Sequence, residues 1–336
     1  MRSLDFGRCA LSSCVAAAML AGCGGSQPPI GAPGAMPQTS AIATHTAHGT
    51  SWMLPEAKRN DLLYLAGNDN ETGFVYTYPA GKPVGALTGI VGPQYECADK
   101  KGDIFIAGSS EYSDGGIYEY AHGGTHPINF LPLPRAVGCS VDPVTGNLVA
   151  VTFSDAVYVF QNAQGQPTEY VDKDIYYSSD VAYDNVGDLF VNGIYTNQSF
   201  ALVELSSGSS TFHNINVPGG NYLGGANFEP ILWDGQFLDL GSYQEVKQTR
   251  KIRTVINQLQ ISGSGATIVG TVALAMQARA EYPQFWIQGG VITQPSNKPK
   301  FDSYFETFKY PSGSPIKRVD LGRQDDVWGA VVSPAR

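Results

Sequence analysis

Charge is scarce in this chain, and what there is leans negative. Only 15% of residues are charged, and 30 acidic against 21 basic side chains leave a formal net charge of −9. No basic stripe interrupts that balance, which argues against a polyanion partner, because phosphate backbones are bound by clusters of Lys and Arg. Histidine is rare, at five residues, and no Ser-His-Asp set is legible. The Gly-Ser-Gly-Ala-Thr run at 263–267 is not followed by Gly-Lys-Ser/Thr, so it reads as a strand turn and not a phosphate loop. Beyond the N-terminal segment no stretch approaches about 18 apolar residues, which excludes a spanning helix. The 3.6-residue periodicity of a helical repeat is missing as well. Glycine (39), proline (21), tyrosine (18) and phenylalanine (15) are plentiful, as suits many short strands joined by tight turns.

The N-terminus reads as a targeting segment. Arg2 and Arg8 give a weakly positive start, and Ala10 to Leu20 form an apolar run too short to span a bilayer. Leu20-Ala21-Gly22-Cys23 follows, and small residues before a Cys resemble the lipobox of bacterial lipoproteins. That resemblance implies residues 1–22 as a signal peptide and Cys23 as the lipidated residue; an ordinary signal peptide cut nearby is the alternative. Several acyl chains hold a protein on a bilayer far more firmly than one. The expected address is therefore the bacterial cell envelope, membrane-anchored and facing the periplasm or exterior. Residues 24 to about 50 are Gly, Pro, Ser, Ala, Thr and Gln with almost no charge, a flexible tether that cannot bury enough apolar surface to order itself. We set the tether at 23–56 and the folded domain at 57–336. Ser51-Trp52-Met53-Leu54-Pro55 is expected to pack on the outside of that domain.

From Asp61 onward the chain repeats. The phrase YECADKKGDIFIAG (Tyr95 to Gly108) returns as GCSVDPVTGNLVAV from Gly138 and as DVAYDNVGDLFVNG from Asp180. Using the residue that ends each inner strand as a marker gives Asp99, Asp142, Asp184, Asp234, Gln288 and Ser333, spaced by 43, 42, 50, 54 and 45 residues. Third strands follow at 116–120, 156–160, 200–205, 256–261 and 304–310. After the third strands come small polar turns, among them YPAGKPVG from Tyr78 and YPSGSPIKR from Tyr310. Four strands in about 45 residues describe a propeller blade. The chain opens on a second strand (61–65) and ends on an inner one (328–333). We therefore expect an all-β, six-bladed propeller of four-stranded antiparallel blades, closed by the last strand pairing with the first blade.

These repeats, with Trp52, the DLLYL opening and the YPxG-like turns, resemble NHL-type six-bladed propellers, and the mature chain resembles bacterial envelope lipoproteins built from one such propeller. The resemblance implies a fold and little about activity, since propellers serve many functions. Binding sites in related folds usually sit where the loops joining strand four to the next inner strand, and strands two to three, gather around the channel. The residues placed near that mouth are Tyr95, Glu96, Arg135, Tyr177, Asp180, Tyr222, Glu229, Tyr282 and Trp328. Rings with a few charges suit a sugar or peptide; loop-packing aromatics and solvated charges are the plain alternative.

Glu96, Asp180 and Glu229 could converge on Ca²⁺, which prefers several oxygen ligands, and six-bladed lactonases resembling senescence marker protein use a comparable acidic metal site. No accompanying Asn stands at a matching position, so no cofactor is expected. Asn68-Asp69-Asn70-Glu71 lacks the spacing of a calcium loop and reads as a hairpin turn. His122 and His126 lie across a turn, where separation is expected, and His213 is isolated. Cys97 and Cys139, on neighbouring inner strands, are expected as buried thiols. A bridge needs Cα atoms within about 7 Å, and neighbouring inner strands are expected to sit farther apart, so two free thiols are expected over a disulfide. The leading expectation is a monomeric, non-enzymatic, lipid-anchored propeller that binds a ligand or envelope protein at its channel mouth. The alternative is a metal-dependent hydrolase, lactonase or lyase working there.

Overall fold

The computed structural model describes residues 50–68, 71–109, 115–219, 229–246, 251–275, 283–297, 302–323 and 326–336. Six antiparallel sheets make up the fold. Blade I holds β1 (Trp52–Met53), β2 (Leu62–Gly67), β3 (Thr72–Thr77) and β4 (Pro83–Thr88). Blade II runs through β5 (Pro93–Ala98), β6 (Ile104–Gly108), β7 (Gly116–Tyr120) and β8 (Pro127–Pro132). Blade III contains β9 (Ala136–Val141), β10 (Leu148–Thr152), β11 (Ala156–Phe160) and β12 (Thr168–Val171). Blade IV contains β13 (Ile175–Tyr183), β14 (Leu189–Tyr195), β15 (Phe200–Leu205) and β16 (His213–Asn214). Blade V contains β17 (Ile231–Trp233), β18 (Leu238–Val246), β19 (Lys251–Ser262) and β20 (Gly265–Ala273). Blade VI contains β21 (Trp286–Gln288), β22 (Val291–Asn297), β23 (Asp302–Lys309) and β24 (Ser314–Arg323).

The final strand, β25 (Val327–Ser333), returns to blade I and pairs with β2, from Leu62 opposite Ser333 to Gly67 opposite Val327. The six-bladed ring is thus closed as its sequence pattern requires. At the other edge of blade I, Trp52 pairs with Ala86 and Met53 with Gly85, making β1 a fifth, outermost strand. Ordered structure therefore starts ahead of residue 57.

Alternation along each strand explains the core. Leu62 and Tyr64 face blade II, where they join Ile104, Ile106 and Tyr120; Leu63 and Leu65 face blade VI, where they meet Phe305 and Leu321. Phe105 and Leu148 share the gap between blades II and III, and Val151 and Val191 that between III and IV. Phe190 with Leu240 fill the gap between IV and V, and Ile256 with Phe308 that between V and VI. Six gaps hold six apolar clusters. Because both faces of a blade are buried, DLLYL reads as a continuous apolar run and not an alternating one. Each large side chain so buried contributes about 1.5–3 kcal/mol.

The repeated Asp-x-x-Gly phrase is a turn device. Asp99 Oδ1 accepts hydrogen bonds from the backbone N–H of Lys101 and Asp103, both at 2.8 Å. Asp184 Oδ1 does the same for Val186 and Asp188, both at 2.9 Å. Asp234, which Gly235 follows at once, uses the same oxygen for the N–H groups of Gln236 at 2.7 Å and Phe237 at 2.6 Å. An Asp side chain that bonds the backbone two residues on mimics a turn. The glycine that follows completes it at positive φ, for example 79° at Gly102 and 90° at Gly187.

The turns after the third strands link neighbouring blades. Tyr310 Oη donates to Asp234 Oδ2 at 2.5 Å, and Tyr78 Oη to the Gln288 carbonyl at 3.1 Å. His122 Nδ1 lies 2.6 Å from Ser333 Oγ. In each case the side chain reaches the marker residue of the preceding blade. The likeness of YPAGKP and YPSGSP extends to conformation, since both Tyr-Pro bonds are cis.

One expectation is overturned. Cys97 and Cys139 form a disulfide, with Cα atoms 5.7 Å apart and both side chains buried. Inner strands converge toward the channel, so β5 and β9 approach within bridging distance. The separation assumed from sequence was too large.

Candidate functional site

The upper ends of four inner strands are irregular. One extra residue interrupts the register between Pro93 and Glu96 in β5, at Val137 in β9, and at Trp328 in β25. Strand β13 has two such bulges, at Tyr176 and Ser179. A bulge bends its strand and re-aims the side chains around it, and bulges gather beside functional sites. Tyr95, Tyr177 and Trp328 all lie at or beside these interruptions.

Inside the channel, Glu96 and Asp180 are fully buried and Glu229 is 5% exposed. No ion pair among the described residues neutralises any of the three. Neither Glu96 carboxyl oxygen has a hydrogen-bond partner, nor do Asp180 Oδ1 and Glu229 Oε1. Burial holds the Glu96 carboxyl well above its ordinary range. Burial also pushes Asp180 up to about 8, against the opposing backbone N–H groups of Val181 and Ile231, and Glu229 up to about 7. Asp180 is therefore mostly protonated at neutral pH.

Neighbouring glycines make room for these acids. A Cβ on Gly138 would sit 2.6 Å from Asp180 Oδ1, and one on Gly329 would sit 3.0 Å from Glu96 Cγ. Asp180 Oδ2 accepts from the Ile231 N–H at 3.1 Å, tying blade IV to blade V. Asn192 extends that link: its Oδ1 accepts from Asp180 N–H at 3.0 Å and its Nδ2 donates to the Glu229 carbonyl at 2.7 Å. On the other side of the ring Gln284 staples three segments. Its Oε1 accepts from Glu96 N–H at 3.0 Å and Ala330 N–H at 3.2 Å, and its Nε2 donates to the Glu96 carbonyl at 2.8 Å.

Tyr95 belongs to the same cluster, although it starts from blade II. Its phenol is held well above its ordinary value, first by burial and then by the charges of Asp180, Tyr243 and Glu229. Arg135 and Tyr177 are more accessible. Arg135 is exposed on the loop from blade II to blade III, with φ of 65°. That left-handed backbone costs a non-glycine residue about 1 kcal/mol or more. Tyr177 is half-buried, edge-on to Phe153 at 6.4 Å. Trp328 is half-buried, and its carbonyl accepts from Gln284 N–H at 2.8 Å. Tyr222 and Tyr282 lie outside the described residues, as do Cys23 and the part of the expected 23–56 tether that precedes residue 50.

The structure thus brings Tyr95, Asp180 and Glu229 together and leaves Arg135 at the rim. Among the described residues no group of three or more His, Cys, Asp and Glu side chains is arranged to hold a metal ion. His122 and His126 engage Ser333 and Thr125 separately. His213 lies 3.2 Å from Glu204 Oε2.

The Asp234–Asp239–Tyr310 cluster was not foreseen. Tyr310 Oη lies 2.5 Å from Asp234 Oδ2 and 3.2 Å from Asp239 Oδ2, and it accepts from Gln258 Nε2 at 2.6 Å. Burial, then the Asp234 charge, pushes Asp239 up to about 8. Its sequence signal was the twice-repeated Tyr-Pro turn.

No protein-family model and no curated protein matches this chain. Among solved structures it is similar to TolB from Acinetobacter baumannii, at 11% identity over 84% of this chain and 68% of that one, with a TM-score of 0.58. It is also similar to a protein of unknown function from Bacteroides caccae, at 11% identity over 82% of this chain and 99% of that one, with a TM-score of 0.53. Likeness at that level of identity is one of fold: a six-bladed β-propeller scaffold.

Proposed function

We propose that this propeller is a binding module of the bacterial cell envelope, held to the membrane by lipid on Cys23, which takes a sugar, a peptide or a protein partner at its upper channel mouth. The observation that carries the reading is the run of bulges at the upper ends of β5, β9, β13 and β25. They surround the mouth with Tyr95, Tyr177 and Trp328, and the exposed, backbone-strained Arg135 stands on the adjoining loop. Below the rim, the Asp180 carboxyl, which burial pushes up to about 8, can donate as well as accept hydrogen bonds. Sugar hydroxyls and peptide amides offer the matching pattern.

Glycan and peptide arrays, followed by titration of the best ligand, test this proposal. Arg135→Ala and Tyr177→Ala change accessible side chains, and each is expected to weaken binding about tenfold, about 1.4 kcal/mol. Binding untouched by both, and by Tyr95→Ala and Trp328→Ala, would remove the site. The anchor is tested separately: Cys23→Ser should shift the protein from the membrane fraction to the soluble one.

A further inference from the structure

Opposite the mouth, the inner strands end around a second concavity of about 510 Å³. Four blades contribute: Val332 and Pro334 from blade I, Ala98 from II, Val141 from III, and Trp286 from VI. Its size lies within the range of small-molecule sites. Two rings form the apolar wall. Phe105 is buried, and half-buried Trp286 packs against the core clusters on both sides of blade I. The Trp286 indole N–H donates to Gln288 Oε1 at 3.2 Å, which fixes the ring's polar edge.

The rim carries charge of both signs, but the two signs are not equally available. The Asp99 and Asp142 carboxylates are engaged by their own hairpins: Asp99 by the backbone N–H groups of Lys101 and Asp103, and Asp142 by the Val144 N–H at 2.7 Å and the Thr145 hydroxyl. Asp103 pairs with Arg336 at 2.7 Å. Exposed Lys100 and Lys101 take part in no ion pair among the described residues. Half-buried Glu119, in the lining, is held above its ordinary range by burial first. Asp99, Asp142 and Glu119 oppose an anion within the lining itself, while the rest of the chain's net charge of −9 acts at longer range, where physiological salt screens it over about 8 Å.

We propose that this lower cavity binds an amphiphilic organic anion, with its apolar ring or branched chain against Trp286 and Phe105 and its carboxylate or sulfonate at the Lys100–Lys101 turn. The site is separate from the upper mouth and does not depend on the reading given for it.

The test uses the intact protein and two probes of similar shape: 1-anilinonaphthalene-8-sulfonate, an anion, and N-phenyl-1-naphthylamine, its neutral counterpart. Both should show saturable, one-site fluorescence enhancement. Ala98→Phe fills the cavity from a half-exposed position and should weaken both probes about tenfold or more. The exposed double change Lys100→Ala/Lys101→Ala should weaken the anion about three- to tenfold at about 50 mM salt, with the difference shrinking near 0.5 M, and should leave the neutral probe unchanged. Trp286→Ala should reduce both, with its melting temperature recorded alongside. Absence of saturable binding by the native protein, anion affinity unchanged by Ala98→Phe, or lysine changes that move both probes equally would each overturn the proposal.

Discussion

Removing the Cys97–Cys139 bridge offers a quantitative test of how the inner strands are held. The bridge closes a loop with a sequence separation of 42 residues. In the chain-entropy treatment, a loop of that length removes about 13 cal/mol/K from the unfolded ensemble, about 4 kcal/mol at 25 °C. For a domain of this size each kcal/mol moves the melting temperature by about 2–3 °C, so Cys97→Ala/Cys139→Ala should melt about 10 °C lower. Both sulfurs are buried, Cys97 at 5% exposure and Cys139 at 3%, so reductant should reach the bond only when the blades open. Thermal denaturation of wild type and double variant, with and without reductant, measures the effect. Peptide mapping of the unreduced chain should recover Cys97 and Cys139 in one linked species. A double variant melting within about 2 °C of wild type, or alkylation of both cysteines in denatured, unreduced protein, would refute the reasoning.

Asp180 should make the fold sensitive to alkali. Its carboxyl titrates near 8 in the folded protein and near 3.9 when unfolded, so unfolding releases a proton between those values and stability falls by up to about 1.4 kcal/mol per pH unit as pH rises through that window. Asp180→Asn should flatten that decline in urea titrations run from pH 4 to 9. Tyr310→Phe should destabilise by about 2–3 kcal/mol, because it removes a hydrogen bond to a carboxylate, whereas Tyr78→Phe, which loses a neutral carbonyl partner, should cost about 1 kcal/mol. Equal losses in chemical denaturation would contradict that ranking. Gly138→Ala places a methyl 2.6 Å from Asp180 Oδ1 and should cost about 1–3 kcal/mol. Much of that loss should disappear in an Asp180→Ala background, and strict additivity in the double-mutant cycle would count against the contact.

The fold was legible because its signals are local. Apolar runs, Asp-x-x-Gly turns and Tyr-Pro turns recur at blade length, and each has a direct structural cause: strands buried on both faces, side-chain-capped hairpins, and links to the neighbouring blade. The channel was legible in part. Tyr95, Asp180 and Glu229 lie near one another, but strand parity could not place the bulges beside them. The disulfide was misjudged because strand spacing near the axis is a property of the closed ring, invisible in either strand alone. Gln284 was missed for a similar reason: its three hydrogen bonds join segments far apart in sequence. Likewise the lower cavity gathers residues from Ala98 to Pro334, and no short stretch announces it.

The pairing of Leu62 with Ser333 spans nearly the whole domain in sequence. Until residue 333 has been synthesised, blade I lacks its innermost member and β2 presents a bare apolar edge to whatever is nearby. Premature termination a few codons before this point should therefore be about as harmful as one far upstream, and a helper that shields exposed strands would matter most in that final interval.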